Sequence, residues 1–173
     1  MKTLYHMDQW FKRPPGSMLL ELAHQHIDPL LSKIPGDTAI QIGGPSDLSL
    51  LESCQHNLKC YYSFSGETTP NTPSIRGNLL QLPILPECCD LLLVNLPHDC
   101  IEHIPHLLGL LKKGHEVVIR GWAIIPTESL QDAEAEIRNH LARTELISLQ
   151  IESKKSYAAN IAYVGIEVHL IRS

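Results

Sequence analysis

The stretch "CDLLLVNLP", residues 89 to 97, most limits how this chain can fold. Its apolar residues run unbroken, so a strand built from it has no polar face to offer water. Such strands belong to sheets covered on both sides, which are parallel sheets with helices packed on either face. Apolar runs on both sides of it support that reading. Strands are expected over Asp37 to Ile42, over "LKCYYSF" (58 to 64) and over "HEVVIRGW" (115 to 122).

Between them lie helical patterns. Ser17 to Lys33 has apolar side chains at Met18, Leu19, Leu22, Ala23, Ile27, Leu30 and Leu31, with Ser17 as the expected cap and Pro29 expected to kink or divide the helix. A short helix is expected over "DLSLLESCQHN" (47 to 57). Another is expected over "HDCIEHIPHLLGLLKKG" (98 to 114), stopped at Gly114 with Lys112 and Lys113 in its last turn, where the dipole favours cations. "TESLQDAEAEIRNHLART" (127 to 144) starts at Thr127 as cap and carries acids early and basic residues late. Two alternating runs, "ELISLQIES" and "IAYVGIEVHLIRS", close the chain as strands joined by the turn-like "KKSYAAN". Strand-helix alternation followed by a strand pair predicts an α/β doubly wound, mostly parallel sheet with an antiparallel hairpin at its C-terminal end.

The chain has 173 residues, one domain's worth, so residues 1–173 are read as a single domain whose first 35 residues form an arm and helix over the site. A net charge of -5 offers no positive field for phosphate backbones, which disfavours nucleic acid as partner. Five cysteines, two of them adjacent (Cys88 and Cys89), read as reduced thiols of a cytoplasmic protein. No apolar core of a leader peptide and no membrane-length run is found, so no membrane partner is expected.

The order of elements, the turn "AIQIGGPS" (39 to 46) and the stretch "IRGNLLQLPILPECCDLLLVNLPHDCIEHIPHLLGLLKKGHEVVI" (75 to 119) resemble class I S-adenosylmethionine-dependent methyltransferases. In the small-molecule members the middle pattern is G-D-x-x-x-L-P, then an apolar strand, a helix and L-K-x-G-G. The front segment "QWFKRPPGSMLLELAHQHIDPLL" resembles a compact bacterial subgroup. The likeness implies a seven-stranded Rossmann-like sheet, S-adenosylmethionine as cofactor and a small-molecule methyl acceptor.

Carried over residue by residue, the resemblance places cofactor contacts on Gly43, Gly44, Ser63, Asn78, Leu79 and Leu96. It places acceptor contacts on Trp10 and Trp122. The pattern also departs from the family. Gln41 stands where an acid is usual, and Pro45 and Asp47 stand where glycines follow Gly43. Ser63 and Asn78 replace two aspartates, with Glu67 near the first. These joint changes support an alternative: a pseudoenzyme that keeps the fold as a binding or assembly module for a protein partner.

Residues after the central strand sit where open α/β sheets bind ligands. His98 is the candidate base, beside Asp99, because an acceptor that loses a proton needs one group of suitable pKa nearby. Asp99 also reads as a helix cap. His103 and His106 are spaced to share a metal, but no third ligand is fixed by the sequence, and no metal is expected. A dinucleotide-dependent oxidoreductase is disfavoured by the missing G-x-G-x-x-G spacing.

Overall fold

Burial of the central run is complete: in strand β4 (Leu91–Asn95) all five residues are buried. The computed structural model describes residues 11–44, 49–63, 73–76 and 82–173, without the side chains of His26, Asp28, Ser63, Arg76 and Tyr157. With β1 (Thr38–Gly43), β2 (Leu58–Ser63), β3 (Ser74–Arg76), β5 (Glu116–Pro126), β6 (Thr144–Ala158) and β7 (Ile161–Arg172), β4 belongs to a seven-stranded sheet of order β3-β2-β1-β4-β5-β7-β6. Strands β1, β2 and β3 pair in parallel, as do β4 and β5, whereas β7 runs antiparallel to both β5 and β6, as the sequence predicts. The chain divides into two units, residues 1–83 and 84–173.

In the first unit, helix α1 (Gly16–Leu31) buries Leu19, Ala23, Ile27 and Leu31, a stripe at four-residue spacing. Two expectations are corrected here. Pro15, not Ser17, holds the cap position, and of the two effects expected of Pro29, a kink or a division, the division does not occur: the helix is continuous to Leu31. A proline in the last turn removes only one helical hydrogen bond, so burial of Ile27 and Leu31 holds the turn. The helix expected over residues 47–57 is also corrected. Residues 47 and 48 lie outside the description, and the rest form turns. There the Ser49 hydroxyl accepts from the Leu51 amide at 3.3 Å and the Gln41 side chain takes the Leu50 amide, so side chains compete for donors a helix needs.

In the second unit, β4 leads into helix α2 (Cys100–Leu107) and a 3-10 turn at Leu108–Leu110. The helix ends earlier than predicted because Leu111 turns extended to bridge to Cys89. Lys112 therefore does not serve the helix dipole; its ammonium meets the buried Asp90 carboxylate at 2.8 Å, and His115 meets it at 3.1 Å. Gly114, at φ 76°, makes the left-handed turn into β5. Helix α3 (Leu130–His140) follows a 3-10 turn at Thr127–Ser129, so Ser129 and not Thr127 stands at its cap. The final hairpin is longer than predicted: β6 continues through most of "KKSYAAN" to Ala158, and the chain reverses at Ala159 and Asn160. Among the described residues no helix is long and apolar enough to cross a membrane.

Two features of this unit carry measurable consequences. A Cβ on Gly121 of β5 would lie 2.5 Å from the Cys100 sulfur and 3.3 Å from the Val94 carbonyl oxygen. The glycine lets the start of α2 close onto β4 and β5. Gly121→Ala should therefore destabilise the protein by about 1–3 kcal/mol, the usual cost of overpacking. Adding Cys100→Ala should recover part of the loss in urea unfolding; no loss in the single variant would contradict the packing.

The second feature is a charge ladder across β5 and β7. His169 bonds Glu116 at 2.6 Å and Glu167 at 2.7 Å, and Glu167 also pairs with Arg120. Burial pulls the His169 pKa down, but hydrogen bonds and charges of the two carboxylates win and hold it above 6.5. For Glu167, burial raises the pKa, yet bonds to His169 and Arg120 leave it below 4.5. A raised histidine stabilises the fold below its unfolded value and ceases to do so as pH rises through its folded value. A lowered carboxylate stabilises above its unfolded value and ceases to do so as pH falls. The stability gap between wild type and His169→Gln should thus be full between about pH 5 and 6 and shrink toward alkaline pH. A gap that grows with pH would contradict the ladder.

Candidate functional site

Polar groups lie at the carboxyl end of β1 in the first unit and, separately, at the carboxyl end of β4 in the second. At the end of β1, Gly43 and Gly44 both take positive φ, 74° and 94°, which only glycine adopts without strain. Their carbonyls face protein donors. The fully buried Gln41 donates from its amide nitrogen to the Gly43 oxygen at 3.1 Å, while its amide oxygen accepts from the Leu50 N–H at 2.7 Å. Tyr61, the cross-strand neighbour of Gln41 on β2, donates its hydroxyl to the Gly44 oxygen at 2.7 Å. The turn is thus shaped by two buried side chains, and no Cβ crowds its backbone at residues 43 and 44.

At the end of β4 stands Asn95, 1% exposed, with neither its amide oxygen nor its amide nitrogen hydrogen-bonded. An unpaired buried polar group costs about 1–3 kcal/mol, and here one side chain leaves both a donor and an acceptor unmet. Such a group marks a place where a ligand can supply the partners. After it the backbone is pinned: the Asp99 N–H bonds the Leu96 oxygen at 2.9 Å, and the Ile124 N–H bonds the Pro97 oxygen at 2.7 Å.

The sequence-predicted residues fall as follows. Gly43 and Gly44 form the turn after β1, and Ser63 ends β2. Leu96 is buried at the end of β4, His98 is exposed one step further, and Asp99 is half-buried. Asp99 holds the cap position of α2, yet its carboxylate makes no cap hydrogen bond and so keeps its acceptors for other partners. Trp122 lies in β5 opposite Gly165, 4% exposed. Trp10, Asn78, Leu79, Pro45, Asp47 and Glu67 lie outside the described residues.

Thiol chemistry finds no support. Burial raises the pKa of Cys54 and Cys88, and pushes that of Cys100 up to about 12 against a partly offsetting hydrogen bond from Trp122. A thiol so placed stays protonated and is a poor nucleophile. The His103 and His106 rings lie 6.3 Å apart, and among the described residues no group of three or more His, Cys, Asp or Glu could hold a metal.

Sequence reasoning missed Asn95 and Tyr61. The signal for Asn95 was present: a lone amide ending an otherwise apolar buried strand. Tyr61 gave none, because only strand register shows that it stands beside Gln41.

No protein-family model and no curated protein matches the chain. Solved structures do. The complex of M. jannaschii TYW2 with AdoMet aligns with a TM-score of 0.71 at 10% identity, over 87% of this chain and 77% of that one. Geranyl diphosphate C-methyltransferase from Streptomyces coelicolor, bound to Mg2+, geranyl diphosphate and S-adenosyl-L-homocysteine, aligns with a TM-score of 0.56 at 13% identity, over 88% and 79%. The [4+2]-cyclase SpnF aligns with a TM-score of 0.65 at 9% identity, over 91% and 82%. Two further matches from Pyrococcus horikoshii are longer, and this chain spans 64% of each. The chain therefore has the class I methyltransferase fold predicted from its sequence, and at these identities the likeness concerns the fold alone.

If Asn95 is held in its unpaired state for the sake of a ligand, Asn95→Leu should raise the stability of the free protein by about 1–2 kcal/mol, since it removes two unmet polar groups and keeps a branched side chain of the same length. A loss of stability of similar size in urea unfolding would show that Asn95 serves the fold instead.

Proposed function

We propose that the protein is an S-adenosylmethionine-dependent methyltransferase acting on a small molecule. The observation that carries this reading is Asn95, a buried amide with donor and acceptor unmet at the carboxyl end of the central strand of a methyltransferase fold. Open α/β sheets bind ligands at that end.

The turn at Gly43 and Gly44 fits the cofactor, because its positive φ angles bare the backbone for close approach. Ser63, Asn78, Leu79 and Leu96 complete the proposed cofactor contacts, with Ser63 and Asn78 supplying neutral hydrogen-bonding groups where aspartates are usual. When bound, S-adenosylmethionine supplies an electrophilic methyl group. Asn95 then orients an acceptor by bonding both a donor and an acceptor of that molecule, and His98, exposed beside it in sequence, takes a proton from an acceptor that carries one. Asp99, free of a cap bond, is available to His98 or to the acceptor, and Trp10 and Trp122 are the proposed apolar contacts. The net charge of -5 favours a small uncharged or cationic acceptor over a polynucleotide. Five free cysteines accord with a reducing cytoplasm.

One observation favours the second reading, an inactive module that retains the fold. Gln41, at the position of the family's acid, is turned inward to the protein's own backbone. Isothermal titration with S-adenosylmethionine and S-adenosylhomocysteine separates the two. The enzyme reading expects a dissociation constant below about 100 µM, or about 5.5 kcal/mol of binding. No heat together with no thermal shift would favour the module.

A further inference from the structure

We propose that Gln41 is a positioning residue for the turn after β1, acting as a neutral donor-acceptor brace that a carboxylate reproduces only when protonated. Gln41 is fully buried, and its two amide atoms reach opposite sides of the turn: nitrogen to the Gly43 carbonyl, oxygen to the Leu50 amide. The amide orientation is fixed by these partners, since a carbonyl requires a donor and an N–H requires an acceptor. The hydroxyl of Tyr61, the residue in register with Gln41 on β2, does the same for the Gly44 carbonyl. Both glycine carbonyls are therefore held by buried side chains before any ligand arrives.

An ionised glutamate in this place would keep the bond from Leu50 but set an oxygen against the Gly43 oxygen, with a buried negative charge added. A protonated glutamate carries one donor and one acceptor, as glutamine does. The exchange of the family's acid for glutamine thus reads as the choice of a fixed turn over a charged one, whether or not the turn still takes a ligand.

This bears on function through the reading of the turn as the cofactor loop, but the brace itself is tested without cofactor. Hydrogen exchange at the Leu50 amide, expressed as protection relative to the unfolded chain, is compared at pH 5 and pH 8 for wild type, Gln41→Glu and Gln41→Leu. Gln41→Glu should lose about tenfold or more in protection at pH 8, the size expected of a lost buried hydrogen bond, and regain most of it at pH 5, because burial raises the carboxyl pKa. Gln41→Leu should lose protection at both. S-Adenosylhomocysteine binding should follow the same pattern. Wild-type protection in Gln41→Glu at pH 8 would overturn the brace. Exchange changes without any binding in the wild type would leave the brace standing and remove the cofactor reading. Should the variants fail to fold, the wild type decides: the Gln41 side-chain NH2 should exchange at least tenfold more slowly than a free amide, and a free rate would overturn the proposal.

Discussion

Complete burial of Leu91–Asn95 is the constraint on which the rest depends. A strand with no solvent face must lie inside a sheet, and a parallel sheet at that, because parallel strands are joined by crossovers that cover its faces. Its first flank is set by Asp90, whose buried carboxylate is met by Lys112 and His115. Its far end is set by Gly121, which leaves room for the Cys100 sulfur and so lets α2 begin directly after the strand. The one polar side chain of the strand falls at its carboxyl end, where this architecture puts chemistry.

Much of the fold was legible because burial leaves a period in the sequence. The apolar run of β4, the four-residue stripe of α1 and the alternation of β7 each follow from which face meets water. Boundaries were less legible, for local reasons. Lys112 looked like a helix-ending cation, but the buried Asp90 offers it a stronger partner than a dipole does. Residues 49–57 looked helical by composition, but Ser49 and Gln41 take the backbone donors that a helix would need. Competition of this kind depends on residues brought together by folding, and no window of sequence contains it.

The candidate site was legible as a pattern and not as a set of bonds. Gly43 and Gly44 show the positive φ angles that a close-approach turn requires, and this follows from residue type. The role of Gln41 does not, because its partners lie two and nine residues away and its neighbour Tyr61 twenty residues on. Read from sequence, Gln41 was a lost acid; in the structure it is a satisfied brace. Asn95 illustrates the reverse. Its place in the sequence was plain, yet only the missing partners of both amide atoms give it meaning.

Likeness to a cyclase as well as to a methyltransferase means that this fold does not fix the reaction, and the residues of the site must do so. The central claim is that the turn after β1 receives the cofactor, and the most direct test follows its two glycine amides by NMR during titration with S-adenosylhomocysteine. Saturable shifts at Gly43 and Gly44, with none at Gly114, the left-handed glycine before β5, are the predicted result. Shifts absent from Gly43 and Gly44 at saturating ligand, or no more pronounced there than at Gly114, would contradict it.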